Sequence, residues 1–450
     1  MKKKIIGMLL TAAAMTMLAV GCKTAEKAAD TAAGENQAEE GMEVTGNEEA
    51  AAGKDSVTLT LYGDAGNVQR PYYQNMIQLY EEKTGNKIDV QGIDSDNFES
   101  VCQMKFQTGD IPDLFLHQGG TSLDAYNPSE NFYDFSNAVW VSDVAETVLP
   151  SCKRGEVVYG LPYWEASYSG ALYNKQIFKE LGIELPKTQE EFDAVCDQLL
   201  KAGVQPIYLP VKDVWPILYQ YGMDPIFADS ALLDQLNKNE TTYAEIPAMQ
   251  SMIQWFSDAA EKGYFGTSYA TDTWDTIMEV MGEGEAAMFY CWDTWLYSDY
   301  DSESYQYVAD DFGLMPAFMG SNTEGTFEGP NCNLTIVNKN SKNVDAAVGF
   351  VEFMADPENY NAAMDGFETA PVFKQETNIT ATPQYTEAAA WIEEVGNASV
   401  ANPNIIGFSS IDGATCIQDL LVGNVTVEEC LQEMDSTRIK SAQSQQAEGF

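Results

Sequence analysis

The spacing of apolar residues along the chain changes period several times, and each change marks an element. From residue 57 the apolar Val57, Leu59 and Leu61 alternate with polar neighbours, which predicts a strand ending at Tyr62-Gly63-Asp64. Tyr73, Met76, Ile77 and Tyr80 then recur at helical spacing and stop at Gly85. Ile88 and Val90 mark a second strand. Phe98, Val101, Cys102, Lys105 and Phe106 mark a second helix, and the run IPDLFLH a third, wholly apolar strand. Strand, helix, strand, helix, strand with apolar strands predicts a parallel sheet covered on both faces.

Similar units follow. Residues 174–181 read as a short helix ended by Gly182. Thr188 and Glu191 form a capping box for the next helix, whose buried stripe is Phe192, Val195, Cys196, Leu199 and Leu200 and whose stop is Gly203. QPIYLP, 286–290, 312–318 and 334–337 read as strands, and 249–262, 274–281 and the Val344 to Met354 stretch as helices. No period of 20 to 50 residues repeats, which argues against a solenoid. In open parallel sheets ligands bind beyond the carboxyl ends of strands. Those ends carry Tyr62-Gly63-Asp64, His117-Gln118-Gly119-Gly120 and Cys291-Trp292-Asp293.

The amino terminus sets the address. MKKK is a basic start, residues 5–20 are apolar, and the run stops at Gly21-Cys22, the pattern of a secretory signal and not of a spanning helix. A small residue before cysteine at that place resembles the lipobox of bacterial lipoproteins, which implies cleavage after residue 21 and lipidation of Cys22. Residues 23–54 carry no aromatic and almost no large aliphatic residue, so they read as a disordered acidic tether. The folded part starts near Asp55.

Charge and cysteine usage narrow the function. The chain has 24 basic and 69 acidic residues and a net charge of −45, which excludes nucleic acid and other polyanions as partners. Of its 8 cysteines, lipidation of Cys22 leaves an odd number without CxxC spacing, so a full disulfide framework is excluded. With the single histidine His117, no metal cluster is expected.

Catalytic signatures are lacking: there is no GxSxG, Walker loop, GxGxxG after a strand or HExxH. A serine triad would have to run through His117, and the abundance of acids is not itself a sign of a glycosidase pair. What the chain does have is tryptophan beside acid: Trp164-Glu165, Asp213-Val214-Trp215, Asp272-Thr273-Trp274-Asp275 and Trp292-Asp293-Thr294-Trp295. An indole stacks on the C–H face of a sugar ring while a carboxylate or amide accepts from its hydroxyls. Core packing is the competing explanation for each tryptophan taken singly. Four such clusters weigh against it, because an unpartnered charge is costly in a core.

Several segments then resemble one family. FQTGDIPDLFLH, the long run GEVVYGLPYWEASYSGALYNKQIFKELGIELPKTQEEFDAVCDQLLKAGVQPI, MGEGEAAMFYCWDTW and VNKNSKNVDAAVGFVEFMADPE occur in order and spacing similar to those of extracellular solute-binding proteins of ABC transporters. The likeness is to the carbohydrate-binding group that includes maltodextrin-binding protein. It implies an α/β fold of two lobes, a periplasmic-binding-protein-like architecture with a hinge and an interlobe ligand cleft. The first lobe would be residues 55–163 plus 314–365, the second 166–312 plus 370–450.

By position the resemblance places Asp64, His117 and Gln118 at first-lobe strand ends. It puts Glu165 beside the first crossover, Trp215 in a second-lobe ligand loop, and Trp292, Asp293 and Trp295 after the Ala-Ala-Met strand. Trp164 and Trp274 join them from the tryptophan-acid pattern. CWDTW replaces the family's Gly-x-Trp, which leaves open which tryptophan faces the cleft. The expected protein is a monomeric, lipid-anchored receptor on the outer face of the cell membrane. It would bind a sugar or oligosaccharide, pass it to an ABC permease, use no cofactor and catalyse nothing. The alternatives are a surface glycoside hydrolase, or the same fold binding a peptide, polyamine or sulfated sugar.

Overall fold

A computed structural model describes residues 56–94, 97–163, 166–374, 379–397 and 399–450. The signal, Cys22, the 23–54 segment, Trp164 and Glu165 lie outside the described residues.

The first lobe begins as its periodicity predicts. Strands β1 (Thr58–Asp64), β2 (Lys87–Ile93) and β3 (Leu114–Gln118) run parallel in the order β2-β1-β3. The helix Pro71–Thr84 between β1 and β2 buries Tyr72, Tyr73, Met76, Ile77 and Tyr80. It ends at Gly85, whose φ of 76° is the left-handed conformation a helix stop favours in glycine. The small hairpin β4 (Lys153–Arg154) and β5 (Val157–Val158) precedes β6 (Gly160–Pro162).

The second lobe is built on β7 (Ser167–Asn174), β8 (Gln205–Tyr208), β9 (Ala286–Trp292), β10 (Phe312–Met315) and β11 (Glu328–Asn331). β12 (Asn333–Val337) returns to the first sheet, which reads β2-β1-β3-β12-β6. β12 is antiparallel to both β3 and β6, so the first sheet is mixed and not purely parallel. The cause is connectivity: β12 follows β11 across the single residue Cys332 and enters from the opposite end, without a crossover helix. The second sheet departs further, since only β8 and β9 are parallel.

Two lobe boundaries also differ from the expected ones. Phe312–Met315, partly assigned to the first lobe, pairs with β7 in the second sheet. Glycines on both strands permit the contact: a Cβ on Gly313 would lie 2.5 Å from the Tyr173 ring, and one on Gly170 2.3 Å from the Met315 carbonyl oxygen. Residues 372–374, assigned to the second lobe, bond to the first instead, with Ala145 N donating to Val372 O at 2.9 Å and Lys374 N to Asp143 O at 2.6 Å.

The helix Gln189–Ala202 starts and stops where predicted, between Thr188 and Gly203. Its Glu191 reaches the backbone N–H of Lys187 at 2.7 Å, one residue earlier than a capping box requires, and Leu200 is exposed. All seven described cysteines are buried free thiols.

The lobes join at Tyr163 to Ala166 and at Cys332, and the Gly366 to Ala370 stretch runs beside these crossings. They are laced together, with Tyr163 N donating to Asn333 O at 3.3 Å, and Ala370 N and Thr369 Oγ1 both donating to Ala166 O at 3.1 Å. Tyr163 itself is buried against Tyr72, Tyr73 and Tyr360 and anchors the first crossing in the first lobe's core.

Candidate functional site

On the second lobe Trp215 from the loop after β8, Trp292 at the end of β9 and Trp274 from the turn before the helix Ile277–Gly282 come together in one cluster. Trp274 and Trp292 stack with centroids 5.9 Å apart and planes at 17°, and Trp215 lies 4.6 Å from Trp274 and 6.5 Å from Trp292. All three are half-buried, so the platform they form keeps part of its surface in solvent. Its loops are tied. The Asp213 carboxylate accepts from Trp274 N at 2.6 Å, and the Tyr208 hydroxyl at the end of β8 donates to Thr273 O at 2.8 Å. Val214, just before Trp215, has φ 65° and ψ −64°, a strained γ-turn for a β-branched residue. Strain of that kind persists only where the surroundings impose it, and here it aims the Trp215 loop.

Trp295 is the correction. It is fully buried, edge-on to Trp274 at 5.9 Å and packed on Phe289 and Tyr300. β9 ends at Trp292 and a short helix, Trp295–Ser298, begins three residues later, so the two indoles leave the backbone under different periodicities. Asp293 is likewise buried. Its Oδ1 accepts from Tyr168 N at 2.7 Å and its Oδ2 from the Thr382 hydroxyl, which clasps β7 and β9 to the start of the Pro383–Val395 helix. Burial pushes its carboxyl up to about 6 despite those bonds. Neither residue can touch a ligand in this conformation.

The first lobe gives a mixed result. His117 is buried between stacked Phe98 and Phe115, with Nε2 2.8 Å from Glu99 Oε1 and Nδ1 2.9 Å from Gln118 O. Burial opposes its charge, but the neighbouring Glu99 carboxylate more than offsets this and raises the imidazole's pKa. His117 is thus part of the lobe's packing and does not stand at its surface. Gln118 is exposed, and half-buried Asp64 caps the helix Ala65–Val68 by accepting from Asn67 N at 3.1 Å.

The lobes meet at two further places. Arg70 Nη1 contacts Asp299 Oδ1 at 2.8 Å. Elsewhere Thr121 Oγ1 donates to Asn402 O at 2.9 Å, and Gly120, with φ 68°, lies so close to Pro403 that a Cβ would sit 2.5 Å from it. Next to this second contact is a cavity of about 500 Å³ lined by Gln118 and Ser151 of the first lobe, Pro330 near the hinge, and Asn397, Asn402 and Asn404 of the second lobe. Pockets of this volume suit small-molecule ligands.

The cavity's second-lobe wall is held from beneath by buried Asp224, whose Oδ1 accepts from Val400 N at 2.9 Å and Ala401 N at 2.8 Å. The carboxyl is pushed up to about 7 by burial, against the pull of those two bonds. The asparagine wall went unnoticed in the sequence. Its only signal is the density of amides in NASVANPN, which carries no periodicity.

The sequence model of the family described as bacterial extracellular solute-binding protein matches residues 65–361. An uncharacterised ABC transporter extracellular-binding protein of Pyrococcus horikoshii is 24% identical over 231 residues, 49% of this chain and 52% of that protein. The chain thus spans about half the length of that curated relative. A chitin oligosaccharide binding protein superposes with a TM-score of 0.72 at 20% identity, covering 87% of this chain and 100% of the other. A sugar transporter protein of Bacillus licheniformis in complex with stachyose gives 0.68 at 18% identity, over 86% and 100%. At these identities the two structures share the fold, a two-lobed α/β architecture with its crossings at a hinge. Family match and fold agree: this chain belongs to the bacterial extracellular solute-binding proteins.

Proposed function

We propose that the protein is the receptor of an ABC transporter for a sugar or oligosaccharide. It binds its ligand in the interlobe cleft without chemistry and delivers it to the permease from the outer face of the cell membrane, anchored through lipidated Cys22 as a monomer. The observation that carries the ligand class is the platform of Trp215, Trp274 and Trp292, three half-buried indoles gathered from loops of one lobe. Indole faces stack on the C–H faces of pyranose rings, and amides such as Gln118, Asn402 and Asn404 both donate to and accept from hydroxyls. Structural relatives that bind a chitin oligosaccharide and stachyose support the same reading. Hinge closure over the ligand would supply the shape change a permease detects.

Titration with raffinose, stachyose and chitin oligosaccharides, followed by tryptophan fluorescence and calorimetry, tests it. Saturable quenching or enhancement by at least one glycan is expected. Silence to every glycan, with a response to peptides or polyamines, would replace the ligand class. Release of reducing ends from a bound glycan would replace the receptor with a hydrolase.

A further inference from the structure

Near the carboxyl terminus the second lobe buries a cation. Arg438, on the helix Val427–Ser444, is only 2% exposed. Its guanidinium carbon lies over two rings, 5.4 Å from the Tyr243 centroid and 5.2 Å from the Phe450 centroid, and its Nη1 donates to Leu236 O at 3.2 Å. Nε and Nη2, the side of the guanidinium that grips an anion with two parallel bonds, are buried and make no hydrogen bond among the described residues. The buried Tyr243 hydroxyl likewise has no partner among them. Asp435, one helical turn earlier, turns both oxygens to the backbone: Oδ1 accepts from Tyr243 N at 2.7 Å and Oδ2 from Ala244 N at 3.1 Å. Its charge reaches Arg438 only through space.

Arg438 and Tyr243 line one small cavity of about 10 Å³. That is room for a single particle the size of water or a halide, and not for a polyatomic anion. Ser409 on its wall caps the 12-residue helix Ser410–Leu421, so the positive end of that helix dipole adds to the guanidinium charge. Residues 407–409 separate this cavity from a larger one between the lobes, which Gln118 and Thr121 of the first lobe also line. Gly407 packs so closely on the arginine's helix that a Cβ would sit 2.3 Å from Arg438 O.

We propose that this cavity binds one chloride-sized halide ion, held by Nε and Nη2 of Arg438 and the Tyr243 hydroxyl, and that the ion braces residues 407–409 behind the lobe contact. A buried cation is costly unless a counter-charge and hydrogen bonds meet it. The halide supplies the charge that no carboxylate in contact provides, and it gives three buried donors an acceptor. Water could accept from the same donors but would leave the charge unmet. Directed donors in a buried site hold the ion, since the net charge of −45 repels anions at large.

Melting of the full exported chain at constant ionic strength tests it. For an ion held with a Kd of about 10 mM, replacing about 100 mM sodium gluconate by sodium chloride should raise Tm by about 1–2 °C, because binding to the native state stabilises it by mass action. Bromide should act in the same way. Equal Tm in chloride and gluconate would overturn the proposal and leave the cavity to water. Crystals grown in bromide should show an anomalous peak within hydrogen-bonding distance of Arg438 Nε and Nη2, and a map without one there would overturn it as well. Arg438→Met should abolish the chloride-dependent rise. Tyr243→Phe keeps the ring and drops the hydroxyl, so it should move the chloride midpoint to a roughly tenfold higher concentration, and it decides the matter if the Arg438 variant does not fold. An unchanged chloride response in either folded variant would place the ion elsewhere and overturn the assignment.

Discussion

Two aromatic clusters, one in each lobe, set rings beside charged groups, and they are opposites. The second-lobe cluster of Trp215, Trp274 and Trp292 is half-buried and keeps part of its surface in solvent. The first-lobe cluster of Phe98, Phe115, Tyr126 and His117 is packed ring on ring, with His117 buried and its partner Glu99 reaching it from the exposed side. Rings next to a charge therefore serve two purposes. In one lobe the charge orients a loop that presents the rings, as Asp213 does for Trp274; in the other the partners satisfy each other within the lobe.

The sharpest way to break this comparison lies at the bottom of the platform. Trp295→Ala should cost about 3–5 kcal/mol of stability, because it empties a fully buried indole site. A melting curve reads this directly, and ligand affinity at temperatures where the variant is folded should be near normal. His117→Gln is the first-lobe counterpart. It removes a buried imidazole and leaves Glu99 with the Tyr126 hydroxyl but without its charged partner, with a loss of about 1–3 kcal/mol and no selective loss of binding. Trp274→Ala should reverse that pattern: affinity falls roughly tenfold while stability changes by about 1 kcal/mol, since its ring touches both other platform indoles and is already half open to solvent. A Trp274 variant that melts early but binds normally would erase the distinction between the clusters.

Proton linkage sharpens it further. The raised pKa of His117 means that its pair with Glu99 stabilises fully below the ordinary histidine value of 6.5, and that this is lost as pH rises through the raised value. Glu99 is pushed the other way: desolvation raises its carboxyl, but the His117 charge and the hydrogen bonds from His117 and Tyr126 outweigh that and lower it. Its share is present above 4.5 and lost as pH falls. The pair is thus strongest between those two values, and His117→Gln should flatten the fall in melting temperature above 6.5.

Under the cavity the sign is that of a buried acid. Asp224 binds a proton more readily folded than unfolded, so stability falls as pH rises from the ordinary 3.8 to about 7. Asp224→Asn, which keeps an oxygen to accept from Val400 and Ala401, should flatten the melting curve over that range. The smallest effect belongs to the lobe contact. Arg70→Ala should change stability by about 0–1 kcal/mol, and any shift in ligand affinity should shrink in high salt.

Much of the fold was legible. The helix Pro71–Thr84 shows its apolar stripe and its glycine stop, and β1 to β3 show their parallel order, because these depend on spacing within a few residues. The site was legible only in part. CWDTW offered two tryptophans three residues apart across a change from strand to helix, and no single period says which one points outward. The asparagine wall carried no signal because amides at a cavity leave no hydrophobic pattern.

The amino-acid sequence by itself determined many of the element types, several helix stops, the tryptophan-acid segments and the family, all of which rest on local spacing and short motifs. Tertiary structure alone decided that Phe312–Met315 joins the second sheet, that Trp292 stays half-buried while Trp295 is fully buried, and that Gln118 meets Asn402 and Asn404 around one cavity. Those outcomes depend on pairing between residues far apart in the chain. An apolar strand or an indole carries the same local preference in either lobe, and only the partner it packs against chooses between them.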